Sequence, residues 1–325
     1  MERIKIIKYT SGYYQQWNDF VAHSKNATFL FHRDFMEYHQ NRFEDYSLLV
    51  FQDEKLIALF PANKVDQLIY SHQGLTYGGI VVDYAVRLDK FIAVFQAVLA
   101  FYESIGVESI HVKLLPSIYT AFPSEELNYC CFLADAKLLK TDTLAVIDLS
   151  TDFSILKNRM EGVNRGVKHG LIVKETDSFD SFWNEILLPN LAEKHKKEPV
   201  HSLEEITYLK AKFPNQIRQF NVYFQNQLVA GTTVFESDFV AHSQYIASNS
   251  TKNELGSLDF LHHYLLTEVF TTKKFFDFGI SNEWAGRKLN QGLHYWKESF
   301  GARTVVQEVY AIATNKHTNC NEVLL

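Results

Sequence analysis

Short apolar runs bounded by turn residues recur twice along the chain in the same order. Ser47-Leu48-Leu49-Val50-Phe51 and Leu56-Ile57-Ala58-Leu59-Phe60 flank Asp53-Glu54-Lys55, which predicts a hairpin over Tyr46–Phe60. Asn221-Val222-Tyr223-Phe224 and the run Leu228–Phe235 flank Gln225-Asn226-Gln227, which predicts a second hairpin, and Phe51-Gln52 and Phe224-Gln225 hold matching places before the two turns. Each hairpin is followed by a strand, an amphipathic helix and a short strand. In the first half these are Gln67–His72, a helix from Leu88 to Ile105 and Ser109–Lys113, and the stripe Phe91, Val94, Phe95, Val98, Phe101 has helical spacing. In the second half they are Val240–Ala247, a helix from Ser257 to Thr271 and Phe275–Phe278. Helical prefaces precede the hairpins at Tyr13–His23 in the first half and at Phe153–His169 and Phe179–Lys196 in the second. The pattern predicts two copies of one α/β unit dividing near residue 140, with no Pro, Gly or Ser-rich linker between them.

Composition fits that organisation. A chain of 325 residues suits two domains at roughly 150 residues each, and 46% hydrophobic with 22% charged residues is a globular balance. Aromatic residues reach 14%, which suits half-buried sheets and aromatic-lined clefts. The net charge of −6 argues against a broad grip on duplex nucleic acid while leaving room for a local basic groove. Cys130, Cys131 and Cys320 form no C-x-x-C, and His317 with Cys320 lacks a second pair for a zinc site, so a reducing cytoplasm is expected. The apolar stretch Phe91–Tyr102 is too short to span a bilayer, and a soluble chain is expected.

Particular segments then point to a family. The order helix, hairpin, strand, helix, strand resembles the GNAT acyltransferase fold, and two copies in one chain resemble its Fem-type branch. Phe276-Asp277-Phe278-Gly279, Leu289-Asn290-Gln291-Gly292-Leu293 and Trp296-Lys297-Glu298-Ser299-Phe300-Gly301-Ala302 are similar to the closing segment of Fem-like proteins. Asn158–Gly170 resembles the basic passage opening their second domain, and Leu75-Thr76-Tyr77-Gly78-Gly79 the aromatic and glycine loop of their first. The resemblance implies an α/β (α+β) fold of two tandem GNAT-like domains, residues 1–140 and 141–325, each a mostly antiparallel twisted sheet flanked by helices. It implies transfer of an acyl group to an amine of a sugar, amino acid or cell-envelope precursor, with acyl-CoA as donor substrate, no tightly bound cofactor and no metal. Two alternatives stay open. One is an aminoacyl-tRNA-dependent peptidyltransferase, whose usual helical arm has no counterpart here; the other is a catalytically silent binding module. Asp277-Phe278-Gly279 and His32-Arg33-Asp34 also spell kinase tripeptides, but no G-x-G-x-x-G loop precedes them and the kinase reading is rejected.

Acyl transfer needs a base, donors that polarise a carbonyl, and a positioning cleft. Glu283 is the first candidate base, as a carboxylate partly buried beside Trp284 at the start of a helix; its alternative is a charge favouring that helix's dipole. His242 is the second candidate, set against a structural histidine bonded to a backbone carbonyl. Strand alternation places His242 and Tyr245 on opposite faces. Asp277 is either a cleft carboxylate or a cap for the loop Gly279–Asn282. The donor is expected along Tyr245, Ser248 and Asn249, with its phosphates at the helix N-terminus near Gly256 and Ser257. The loop Ser248–Ser257 holds one glycine, where the usual acetyl-CoA loop holds several closely spaced ones. Arg165 and Lys168, at i and i+3, either pair on the helix surface with Glu161 or add charge for a phosphate. His72 and Tyr77 are expected to wall the acceptor. Lys297 is a solvated lysine or a substrate-binding group, on a helix whose core stripe is Leu289, Leu293 and Trp296.

Overall fold

The computed structural model describes residues 4–195, 198–321 and 323. It divides into two compact units, Met1–Asp142 with Val306–Leu325, and Thr143–Val305. The sequence assigned 306–325 to the second domain. The structure returns that segment to the first unit, because the strand Arg303–Ala313 pairs antiparallel with Ser109–Lys113 and buries Ile312 in the first core, and the helical turns Thr314–Cys320 after it bury Cys320 there.

In the first unit the hairpin Leu48–Gln52/Lys55–Phe60 carries Ile4–Lys8 on one edge and Val81–Val82 on the other. Helix Leu88–Ser104 lays Phe91, Val94, Phe95 and Val98 on the core, as the spacing predicts, with Phe101 half-buried at its end. The strand expected at Gln67–His72 forms as Leu68–Tyr70, but in another sheet. Pro61 has no N–H to donate and ends the ladder after Phe60. Asn63–Val65 then resumes pairing with Leu68–Tyr70, which runs parallel to Ser109–Lys113.

In the main sheet of the second unit the strands follow the order Ile172–Thr176, Ile217–Phe224, Gln227–Glu236, Val240–Ser248, Phe275–Ile280 and then Lys137–Asp148, whose part from Thr143 onward lies in this unit. Every pairing is antiparallel except that of Val240–Ser248 with Phe275–Ile280. Helices Lys157–Lys168 and Ser257–Tyr264 pack closely on each other because two glycines one turn apart face the contact. A Cβ on Gly162 would stand 1.9 Å from Asp259 Oδ2, and one on Gly166 2.7 Å from Phe260 Cβ. The helix expected to run to Thr271 is α-helical only to Tyr264 and widens to π-helical turns over Leu265–Val269. The preface Phe153–His169 becomes helical only at Lys157. That of Phe179–Lys196 is helical over Phe182–His195, Lys196 lying outside the described residues.

The duplication is visible in the register. Val50 pairs with Ala58 and Phe51 with Leu56 across a bulge, and Val222 pairs with Ala230 and Tyr223 with Leu228 across an equivalent bulge. Two-residue turns, Asp53-Glu54 and Gln225-Asn226, close both hairpins. Phe51 therefore corresponds to Tyr223, one residue away from the correspondence with Phe224 expected from the sequence. Each unit also has one parallel pair of three registers, ending at Tyr70↔His111 and at His242↔Asp277.

Candidate active site

In the second unit the parallel strands part immediately after His242↔Asp277. Val240–Ser248 stays on its antiparallel neighbour as far as Ser248, which leaves its other edge without a strand. At the parting point His242 Nδ1 lies 2.9 Å from Asp277 Oδ2. An ionised carboxylate only accepts, so Nδ1 donates and Nε2 is the basic nitrogen. Asp277 Oδ1 accepts from the Gly279 N–H at 2.7 Å. The capping role considered for Asp277 is thus present on one oxygen, while the other oxygen holds His242. The Asp277 side chain is 1% exposed and that of His242 13%. Gly279, at φ +71°, leaves room beside the imidazole, since a Cβ there would stand 3.2 Å from His242 Cε1.

Lys297 is buried, 3% exposed, rather than solvated. Its Nζ donates to Gly279 O at 3.0 Å and Ile280 O at 2.7 Å, which fixes the turn after Asp277. Burial lowers its pKa to about 8 against the opposing attraction of Asp277. Its helix runs over Gln291–Glu298, and Leu289 and Leu293, expected in the core, are exposed, leaving Trp296 and Phe300 to make the core contact.

The expectation that His242 and Tyr245 face opposite ways is corrected by a bulge. Thr233 pairs with Tyr245 and Val234 with Ser243, so Gln244 is an extra residue that reverses the alternation. Tyr245 and His242 therefore share the face of their partners Thr233 and Phe235. Tyr245 is held by packing: its hydroxyl lies 2.6 Å from His201 Nδ1, and its ring meets Trp183.

Further along the splayed strand a cavity of about 480 Å³ opens over Ile246–Ser248. Arg165 and Ser248, two of the residues expected to meet the donor, line it together with Arg159, Lys252, Asp259 and Trp296. Its strand floor lies four to six residues beyond His242, about 13–20 Å along an extended strand. Other expected donor residues do different work. Asn249 Oδ1 caps the next turn by accepting from Thr251 N and Oγ1 at 3.0 and 2.7 Å. Gly256 abuts the neighbouring helix so closely that a Cβ would stand 2.0 Å from Gly162 O, and Ser257 is fully buried. Lys168 is exposed at its helix end. The sequence reading missed Arg159 and Asp259; the i, i+4 glycines of an otherwise polar helix were the available signal.

Glu283 is not partly buried. Trp284 and Ala285 adopt left-handed φ values of 51° and 52°, so residues 282–289 form an exposed hairpin, Asn282–Glu283 against Lys288–Leu289, where a helix start was expected. Trp284 is 73% exposed and cannot desolvate the carboxylate. His72 and Tyr77 are packed in the first unit rather than walling an open pocket. His72 is 5% exposed against the rings of His39 and Phe43, and burial lowers its pKa to about 3. The Tyr77 hydroxyl lies 2.9 Å from Thr28 Oγ1, and its ring packs at a tilt against Phe31 and Tyr119.

The first unit's own strand parting is filled by its loop. Ser71 N donates to His111 O at 2.9 Å, Gly78 N to Lys113 O at 2.7 Å, and Lys113 Nζ to Leu75 O at 2.8 Å. Among the described residues no group of three or more His, Cys, Asp or Glu side chains is placed to hold a metal ion, and no helix is long and apolar enough to cross a membrane.

No protein-family model and no curated protein matches the sequence. Solved structures do match the fold. FemX superposes with a TM-score of 0.68 at 11% identity, over 94% of this chain and 96% of that one. L-PGS from Bacillus licheniformis gives 0.60 at 16%, over 93% and 92%. A tandem GNAT protein from the clavulanic acid biosynthesis pathway gives 0.52 at 10%, over 96% and 99%. The chain has the Fem-like tandem GNAT fold, α/β with mostly antiparallel sheets.

Proposed function

We propose that this chain is an acyltransferase that moves an acyl group from an acyl thioester, acyl-CoA, to an amine of a sugar, amino acid or cell-envelope precursor. The observation that carries the reading is the His242–Asp277 pair at the point where two strands part, with a cavity over Ile246–Ser248 further along the same strand. The acyl carbonyl accepts a backbone N–H from the free edge beyond His242, which stabilises the developing oxyanion. His242 Nε2 takes the proton of the attacking amine while Asp277 holds the ring and stabilises the imidazolium. The C–N bond forms, the C–S bond breaks, and the imidazolium returns the proton to the departing thiolate. Glu283 gives up the role of base because it is solvent-exposed, and Lys297 holds the Gly279–Ile280 turn that shapes the site. Three unpaired cysteines suit a reducing cytoplasm.

An aminoacyl-tRNA donor is the second reading, favoured by cationic side chains in a cavity whose loop holds a single glycine. Purified protein incubated with acetyl-CoA, longer acyl-CoAs or charged tRNA over an amine panel tests both readings. Free thiol released from an acyl-CoA supports the first, and amine-dependent discharge of tRNA alone replaces it with the second. Neither product, under conditions where a GNAT control turns over, leaves a silent binding module.

A further inference from the structure

Two arginines reach the cavity from helix Lys157–Lys168, and neither has all its donors satisfied. Arg159 Nη1 donates to Asp259 Oδ1 at 2.9 Å, but its Nε is buried with no hydrogen-bond partner. Arg165 Nε is likewise buried and unpartnered. Asp259, 6% exposed, accepts a second bond on the same Oδ1 from Trp296 Nε1 at 2.9 Å. One carboxylate therefore aims a guanidinium and an indole along the same wall. The arrangement depends on Gly162, which admits Asp259 against the helix. It also sets the neighbouring helix start. The N-terminus of Ser257–Tyr264 begins at Gly256, pressed on Gly162 O, and its Ser257 is fully buried, so the flexible run of glycines that lets backbone amides wrap a pyrophosphate is replaced here by a single glycine held against the neighbouring helix.

We infer that the cavity binds a phosphate or pyrophosphate group by a side-chain clamp of Arg159 and Arg165, with Asp259 as the positioning residue. Buried donors without acceptors are costly, and guanidinium forks match phosphate oxygens. Lys252, which also lines the cavity, adds charge. The inference rests on the donor lying in this cavity and adds which end of it is recognised and by what. Coenzyme A and the 3′ end of an RNA both carry the required group.

Calorimetry on the full chain tests the clamp without turnover, with inorganic pyrophosphate, coenzyme A and a short single-stranded RNA ending in CCA as probes. Pyrophosphate and at least one carrier are expected to bind, and Arg165→Gln to weaken binding ~10-fold or more, as for the loss of a charged hydrogen-bonding group. Lys174→Gln, on the edge strand Ile172–Thr176, is expected to change it less than ~2-fold, because exposed cations at a distance are screened. Asp259→Asn, which keeps an acceptor for Trp296, should weaken pyrophosphate through Arg159, and Arg159→Lys should not restore it. Binding of coenzyme A alone identifies a thioester carrier, and binding of RNA alone an RNA carrier. Absence of binding by every probe, or binding indifferent to Arg165→Gln and to Arg159→Gln, overturns the clamp. Loss of the clamp with thiol release intact would leave the transferase reading standing; clamp binding without any transfer would do the reverse.

Discussion

His242 and Asp277 are 35 residues apart in sequence, yet they are direct partners in a parallel register and meet through Nδ1 and Oδ2 at 2.9 Å. The pairing ends at that register, so the dyad stands where two strands separate. Buried carboxylate, oriented imidazole and open strand edge come from one local event, the parting itself. The first unit repeats the event at Tyr70↔His111 but fills the gap with its own Ser71–Gly79 loop. The asymmetry supports the proposal of chemistry in the second unit.

Gly279→Ala tests the space beside the dyad. A side chain at φ +71° is strained, and its Cβ would press the His242 ring at 3.2 Å. The expected cost is about 1–2 kcal/mol of stability, read by urea unfolding, together with a fall in transfer larger than any change in donor affinity.

Lys297 makes stability depend on alkaline pH. Its folded pKa of about 8 lies below the ordinary 10.5, so between those values the unfolded chain binds more protons and stability rises with pH. Relative to Lys297→Met, the wild type should gain as much as about 3 kcal/mol from pH 8 to 10.5. Parallel denaturant titrations check the difference; equal slopes would remove the assignment.

His262 acts at the acid end. It is fully buried among Phe276, Phe278, Trp296 and Phe300, and burial lowers its pKa to about 4. Its folded pKa lies below the unfolded value near 6.5, so stability is full above 6.5 and is lost as pH falls toward 4. The contribution is up to about 3 kcal/mol. His262→Phe should flatten that part of the stability curve measured by thermal melts.

Gly256→Ala should be among the most damaging single changes. It combines φ +69° with a Cβ 2.0 Å from the Gly162 carbonyl oxygen, a backbone atom that cannot rotate away. A loss of about 3 kcal/mol or more is expected, seen as a large drop in Tm, whereas Gly170→Ala, also left-handed but with nothing within 4 Å, should cost about 1 kcal/mol.

The duplicated hairpins were legible in the sequence because apolar runs and polar two-residue turns are local signals. The site was legible only in pieces. His242 and Asp277 each stood out, but their pairing is a long-range register that no short pattern encodes. Alternation misled at Tyr245, since one extra residue, Gln244, reverses the faces. Glu283 was misplaced because the left-handed turn at Trp284 and Ala285, neither a glycine, has no strong sequence signal. Arg159 and Asp259 depend on two helices touching through Gly162, a tertiary contact whose one local trace is the glycine spacing.

The most direct measurement is the rate of acyl transfer by His242→Ala, taken beside Glu283→Gln at saturating donor, with donor affinity measured separately. The account predicts that His242→Ala lowers turnover by ~10²-fold or more with donor binding intact, the size expected for loss of a general base, while Glu283→Gln stays near the wild-type rate. Full turnover in His242→Ala, or a loss confined to Glu283→Gln, would contradict it.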